Sequence, residues 1–328
     1  MTFLEKQIIE KINEYDKIAL FFHEIPDFDT LGSCFALKLY LTDKFPKKQV
    51  EIIGFDTLNE KFSKDFFVFE HNHIPHSFLE NSLGIILDTA NSTRVWSRRH
   101  TYCKELIRID HHPMVESFCD IEFIDEKASS TCELVGMLLF DWDETYISAL
   151  VASYLYAGIL TDTGRFLYMS TRPETFNLTA KLISRDFNRD IIHNAIYLKS
   201  FKQSRFESYV VSKIKMHKDL KFGYVVIPHN AFDKFNIDLR FSMVHVFNNI
   251  NELEVWMSIY YDNTINKWRG SLRSRYLQIN DIAKKYNGGG HIHAAGFTLE
   301  HKSDYKRLIN DLVKYIKQHQ KEESGKDE

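Results

Sequence analysis

The first half of this chain alternates short apolar runs with amphipathic stretches, and that alternation narrows the possible folds most. KIALFFH (17–23) predicts a strand and LGSCFALKLYLTDKF (31–45) a helix. VEIIGF (50–55), GIILD (84–88), ELIRID (105–110) and IEFID (121–125) predict further strands, with helices over 130–141, 145–160 and 174–185. Strands that alternate with helices join through crossovers, which gives a largely parallel sheet flanked by helices. Ligands in such sheets bind beyond the carboxyl ends of the strands. The acidic and imidazole groups of this chain gather where the strand candidates stop. His23, Asp27 and Asp29 follow the first strand in HEIPDFD, Asp88 stands in LDTAN, and Asp110, His111 and His112 stand in IDHHP. Asp162 ends an apolar helix at GILTDTGRF.

The second half has a different pattern. A polar helical stretch spans about 188–215, KFGYVVIP (221–228) predicts a strand, and 238–251 a helix. LEVWMSIYYD and KWRGSLRS flank DNTIN, a hairpin signal. A helix (279–286), the run NGGGH, a strand and a helix over 303–317 complete the chain. A chain of 328 residues exceeds what one core usually serves. The expected organisation is therefore an α/β catalytic domain over 1–190, a linker over 191–205, a smaller α/β domain with a mixed sheet over 206–320, and a charged tail over 321–328. A cleft between the two domains is expected.

Composition excludes several functions. With 42 basic and 45 acidic residues the net charge is −3, so no broad basic surface is available for long duplex nucleic acid. Cys34, Cys103, Cys119 and Cys132 form no C-x-x-C pair, which argues against a disulfide framework or a thiolate zinc site. MTFLEKQIIEKINEY carries acidic residues among its apolar ones, so it reads as an amphipathic helix with a Thr2–Glu5 capping box rather than a signal peptide. The apolar stretch 147–160 falls short of the roughly 20 residues that span a bilayer and predicts a buried helix. A cytoplasmic protein without membrane association is expected.

If the strand ends converge, the carboxylates of Asp27, Asp29, Asp88, Asp110 and Asp162 crowd together, and like charges at close range force some to stay protonated. Two divalent cations remove that conflict. Mixed imidazole and carboxylate ligands suit Mn²⁺, Fe²⁺, Co²⁺ or Zn²⁺ better than Mg²⁺. A metal pair can clamp the attacking and leaving oxygens of a phosphoryl displacement. Asp56 and Asp120 read instead as turn formers or caps. His71, His73 and His76 lie among aromatic residues in an irregular stretch and read as a solvated loop rather than a zinc site. In the second half, Gly288, Gly289 and Gly290 can turn backbone N–H groups toward an anion, with donors from His291 and from Ser271, Arg273, Ser274 and Arg275 of SLRSR.

HEIPDFDTLGS, LDTANSTR, IDHHP, ASSTCELV, YAGILTDTGRF, GSLRS and GGGHIHAAG, in this order, resemble the DHH phosphoesterases with a DHH-associated C-terminal domain, specifically the nanoRNase subgroup. The resemblance covers nearly the whole chain. It implies a two-Mn²⁺ centre, with Co²⁺ as a substitute, in the first domain. His23, Asp27 and Asp88 would hold one ion. Asp29, Asp88, His111 and Asp162 would hold the other, with Asp88 bridging. Asp110 would orient its neighbours, and His112 would approach the scissile phosphate as acid or electrostatic helper. Ser271, Arg273, Gly288, Gly289, Gly290 and His291 would contact the substrate. The chain departs from the family pattern in Phe28-Asp29-Thr30, where Gly-Asp-Ala is usual, in Asn287, which stands in place of a fourth glycine, and in Asn91, which replaces a frequent aspartate.

The implied function is manganese-dependent hydrolysis of short nucleotides to 5′-mononucleotides by water activated between two metals. The substrates implied are oligoribonucleotides of two to five units, pApA, cyclic di-AMP and the 3′-phosphate of pAp. A homodimer is compatible with the resemblance. The alternatives are a DHH-type inorganic pyrophosphatase and a non-catalytic nucleotide-sensing relative; the second requires lost metal ligands, and none is lost.

Overall fold

The computed structural model describes the chain except residues 55–65, 68–73, 229, 239–242 and 325–328, and except the side chains of 291 and 322–324. It falls into two compact units, Met1–Leu198 and Lys199–Glu328. The fold is α/β in both.

The first unit runs α1 (Phe3–Glu14), β1 (Lys17–Phe21), α2 (Phe28–Lys44), β2 (Gln49–Ile52), α3 (His76–Leu79), β3 (Leu83–Leu87), β4 (Glu105–Asp110) and β5 (Ile121–Ile124), then α4 (Thr131–Asp143), α5 (Ala149–Asp162), α6 (Pro173–Ile183) and α7 (Arg189–Tyr197). Among the described residues its sheet has five strands in the order β2-β1-β3-β4-β5, all parallel. Ile18, Leu20, Ile85, Leu87, Ile107 and Ile109 point to one face and join α2, α4 and α5 in the main core. Ala19, Phe21 and Ile86 point to the other face, against Ile53, Phe78 and Leu79. Side chains buried on both faces explain why these strands read as continuous apolar runs. The order reverses between β1 and β3, so the carboxyl ends of β1, β3 and β4 lie side by side at a switch point.

Helices α2 and α5 approach closely through glycines. A Cβ on Gly158 would lie 2.3 Å from Cys132 Sγ and 2.9 Å from Asp29 Cα, and one on Gly32 would lie 2.5 Å from the Tyr154 carbonyl oxygen. This approach brings Asp29, in the first turn of α2, toward Asp162, the last residue of α5. Gly158→Ala must push the helices apart. We expect a loss of about 1–3 kcal/mol, the usual cost of overpacking a dense core, read as a lower midpoint in urea unfolding. An unchanged midpoint would mean that this crossing is loosely packed.

The second unit runs α8 (Phe201–Ser212), β6 (Lys215–His217), β7 (Phe222–Val226), α9 (Ala231–Phe235), β8 (Val255–Asp262), β9 (Lys267–Ser274), α10 (Asn280–Lys284), β10 (Gly289–His291), β11 (Ala294–Leu299) and α11 (Asp304–Ser324). Its described sheet has six strands in the order β10-β11-β9-β8-β7-β6, antiparallel except for β7 with β8. Met257, Ile259, Leu272, Ala295, Phe297 and Leu299 form one core with α11. Trp256 on the opposite face packs with Phe206, Phe232 and Phe247.

Residues 191–205, expected as a linker, carry most of α7 and the start of α8, each with its own N-cap. Asn188 accepts from the Asp190 amide, and Ser200 forms a capping box with Gln203. The helix predicted over 238–251 is not present in the described part of that range. A 3-10 turn covers Val244–Phe247, and the following carbonyls of Asn248, Ile250 and Leu253 accept from the Arg275 guanidinium. Carbonyls turned toward a side chain are lost to a helical ladder, and the asparagine-rich run favours turns. The Thr2–Glu5 capping box is present at α1. Among the described residues no helix is long and apolar enough to cross a membrane.

Candidate metal centre

The carboxyl ends of three neighbouring strands present the acidic and imidazole groups. His23 follows β1, Asp88 follows β3, and Asp110 is the last residue of β4, with His111 and His112 next to it. Asp88 has φ 55°, in the left-handed region. Aspartate tolerates that conformation better than most residues, and strain of this kind collects at functional sites. Helix α2 adds Asp27 as its N-cap, whose Oδ1 accepts from the amides of Asp29 and Thr30, both at 3.0 Å.

Asp29 is fully buried and anchored from another helix. Its Oδ2 accepts from the Thr131 amide at 2.7 Å and its Oδ1 from the Cys132 amide at 2.8 Å, at the N-terminus of α4. Free N–H groups and the helix dipole there favour a carboxylate. The Thr131 hydroxyl also donates to Asp88 Oδ1, at 3.1 Å. ASSTCELV therefore contributes to the site, a role its residue types did not announce.

His23 Nε2 lies 3.3 Å from Asp88 Oδ2 and 3.9 Å from Asp27 Oδ2. His111 Nε2 lies 3.5 Å from Asp88 Oδ1, 3.5 Å from Asp162 Oδ2 and 3.9 Å from Asp29 Oδ2. His112 Nδ1 lies 2.8 Å from Asp110 Oδ1 and 3.6 Å from Asp88 Oδ1. Three groups offer ligand atoms mutually within 4.8 Å: His23–Asp27–Asp88, Asp29–His111–Asp162 and Asp88–His111–His112. Asp88 belongs to the first and third, and reaches the second through His111.

The electrostatics of this donor set fit cations. Burial, then the charges of Asp88 and Asp27, pushes Asp29 well above the usual carboxylate range, although the Cys132 amide and thiol pull it down. Burial with Asp29, Asp27 and Asp88 does the same to Asp162. Burial also opposes ionisation of Asp88, but His23, with His111 and His112, outweighs it and holds that carboxyl below the usual range. Burial disfavours a charged His112, yet its bond to Asp110 and the nearby carboxylates push it up to about 9. Carboxylates held protonated by one another are what divalent cations would relieve. Asp110 Oδ2, beside this cluster in sequence, is buried with no hydrogen-bond partner.

The sequence-predicted residues His23, Asp27, Asp29, Asp88, Asp110, His111, His112 and Asp162 thus stand together in the first unit. The predicted bystanders have other surroundings. Asp120 Oδ2 accepts from the Leu106 amide at 2.8 Å. His76 begins α3 and pairs with Glu80 at 3.3 Å. Asp56, His71 and His73 lie outside the described residues. Asn91 caps a short turn, accepting from the Arg94 amide at 3.1 Å. Phe28 packs on Phe66 and Phe67, with ring centroids 6.1 and 5.7 Å apart.

In the second unit, Gly289 and Gly290 of the glycine run lie in the edge strand β10, and Gly288 precedes it. Gly289 pairs with Gly296, and Gly296 pairs with Ser271 on β9. The three glycines differ in why they are glycine. A Cβ on Gly288 would lie 2.1 Å from the Gly296 carbonyl oxygen, and Gly290 has φ 133°. Gly289 meets neither restriction: nothing lies within 4 Å of the place its Cβ would take. Arg273 sits on the same face as Ser271, two residues along β9, its Nη1 donating to the carbonyls of Leu272 and Ala295 at 2.9 and 3.3 Å. Strand β10 includes His291, whose side chain lies outside the described residues. Ser274 and Arg275 are not ligand donors as expected. Ser274 is buried and bonds to the Leu277 carbonyl and His293, while Arg275 binds backbone carbonyls and lies over the Trp256 ring.

Residues 17–159 match the N-terminal domain of the DHH family, and residues 234–318 match the DHHA1 domain. The chain belongs to the DHH family. It is a hydrolase acting on phosphoester bonds. It is 40% identical to the uncharacterized protein MG371 of Mycoplasma genitalium over 95% of each chain. It is 31% identical to a Streptococcus mutans protein named "Probable bifunctional oligoribonuclease and PAP phosphatase NrnA", covering 94% of this chain and 99% of that one. An exopolyphosphatase-related protein from Bacteroides fragilis superposes with a TM-score of 0.82 at 25% identity, over 95% of this chain and 96% of the other.

Proposed function

We propose that this DHH-family hydrolase is a manganese-dependent phosphodiesterase and phosphatase of short nucleotides: oligoribonucleotides of two to five units, pApA and pAp. The observation that carries this reading is the set of overlapping donor groups around Asp88. His23, Asp27 and Asp88 would hold one cation, and Asp29, His111 and Asp162, with Asp88, the other. Cations bound there would supply charge stabilisation at phosphorus and an acidified water. Histidines in the set favour Mn²⁺ or Co²⁺ over Mg²⁺.

Asp110 is a positioning residue. Its Oδ1 accepts from both the backbone amide of His112, at 3.2 Å, and the ring Nδ1, at 2.8 Å, which fixes the ring and supports its protonated form. Held this way, His112 presents Nε2 to the scissile phosphate as a donor. In the second unit, Gly289 with Ser271 and Arg273 forms the phosphate grip: a glycine with open space at its Cβ leaves room for an anion to approach the backbone. So compact a grip on a chain of net charge −3 suits a small nucleotide better than a long polymer. The relatives named for oligoribonuclease and PAP phosphatase activity support the same substrates.

The test is a substrate panel of short RNAs, pApA, cyclic di-AMP, pAp and pyrophosphate, with products separated by chromatography. Mn²⁺ or Co²⁺ should support release of mononucleotides, Mg²⁺ should restore little activity, and a chelator should abolish it. Full turnover in chelator would overturn the metal reading, and orthophosphate release from pyrophosphate alone would move the assignment to a pyrophosphatase.

A further inference from the structure

Thr30 stands inside one of the donor groups. Its side chain is fully buried, and its Oγ1 lies 2.5 Å from His23 Nε2, 2.5 Å from Asp88 Oδ2 and 3.0 Å from Asp27 Oδ1. These are the residues of the His23–Asp27–Asp88 group. A hydroxyl has one proton to donate and two lone pairs. It can therefore donate to one carboxylate, engaging an electron pair a cation would use, while accepting from the imidazole, which keeps a proton on the nitrogen a cation would use.

We propose that the Thr30 hydroxyl is an intramolecular competitor for this site, weakening it and making the two cation sites load unequally. The proposal deepens the reading of the cluster as a two-cation centre and rests on it. Thr30 is the third helical residue of α2, after the Asp27 cap. A helical threonine divides between two side-chain rotamers. The competing contact can therefore be released by one rotation, without moving the helix. In the Asp29–His111–Asp162 group the α4 amides engage one residue, Asp29, whereas Thr30 engages all three residues of its own group. The His23–Asp27–Asp88 site is thus the one that fills second.

The experiment is calorimetric titration of the metal-stripped full chain with Mn²⁺ alone, for the wild type and for Thr30→Ala, Thr30→Val and Thr30→Ser. Removing one hydrogen-bonding competitor should tighten the weaker of two binding steps by about tenfold in Thr30→Ala and leave the tighter step within about twofold. Thr30→Val, which keeps the branched shape, should follow alanine, and Thr30→Ser should follow the wild type. Spin coupling in the Mn²⁺ resonance spectrum should appear at lower total Mn²⁺ in Thr30→Ala. Weaker binding in Thr30→Ala would make the hydroxyl a ligand and overturn the proposal, as would alanine and serine behaving alike. A wild type that takes up no Mn²⁺ would instead overturn the two-cation reading itself, so the two failures are distinguishable.

Discussion

Asp88→Asn should lower turnover by about 10³-fold or more, the scale lost when charge stabilisation at a phosphoryl centre is removed, while the protein stays folded. Three features of Asp88 support an effect of this size. It belongs to two of the three donor groups and reaches the remaining one through His111 at 3.5 Å. It is the carboxyl that the surrounding imidazoles hold ionised, whereas burial and like charge hold Asp29 and Asp162 toward the neutral form. Its substitution by asparagine removes the negative charge and one metal-binding oxygen but little volume. The fold should survive because asparagine also tolerates the left-handed backbone found at 88, and its amide oxygen can still accept from the Thr131 hydroxyl. Turnover and Mn²⁺ stoichiometry are measured together, with circular dichroism as the folding control. A loss of less than tenfold would show that Asp88 is not shared between cations.

The legible part of this site was the part encoded by strand ends. In a parallel sheet every strand delivers its carboxyl end to the same edge, so His23, Asp88, Asp110, His111 and His112 could be placed together from apolar runs alone. Asp29 was legible as a candidate but its anchorage was not. Its partners are backbone amides of Thr131 and Cys132, a hundred residues away in sequence, and amides carry no residue-type signal. Thr30 stood out in the sequence as a departure from the usual Gly-Asp-Ala, but only the distances to His23, Asp27 and Asp88 give it a role. The SLRSR segment misled in the other direction. Arg273 lies within β9, whereas Arg275 follows the strand's last residue, Ser274, out of the sheet, so the two arginines, alike in sequence, differ in surroundings. Arg275 is spent on the carbonyls of Asn248, Ile250 and Leu253, which also undid the helix expected over 238–251.

Arg273→Ala should raise KM for pAp and pApA by roughly 10- to 150-fold, the equivalent of losing a charge-assisted contact of about 1.5–3 kcal/mol, with a much smaller change in kcat. The expectation rests on where Arg273 stands. It shares a sheet face with Ser271 and the exposed Gly296, and Gly296 pairs with Gly289, whose missing side chain leaves nothing within 4 Å. A guanidinium beside a glycine floor can hold a phosphate that takes no part in bond breaking, and an interaction equal in ground and transition states appears in KM rather than kcat. Because Nη1 also donates to the Leu272 and Ala295 carbonyls, the alanine variant needs a stability control. Arg273→Lys, which keeps the charge but loses the planar fork, should recover part of the affinity. Bis-p-nitrophenyl phosphate has no second phosphate to hold, so its hydrolysis should barely change in Arg273→Ala. If both substrates suffered equally, with the loss in kcat, Arg273 would belong to the reacting centre and the phosphate grip would have to be sought elsewhere on the sheet.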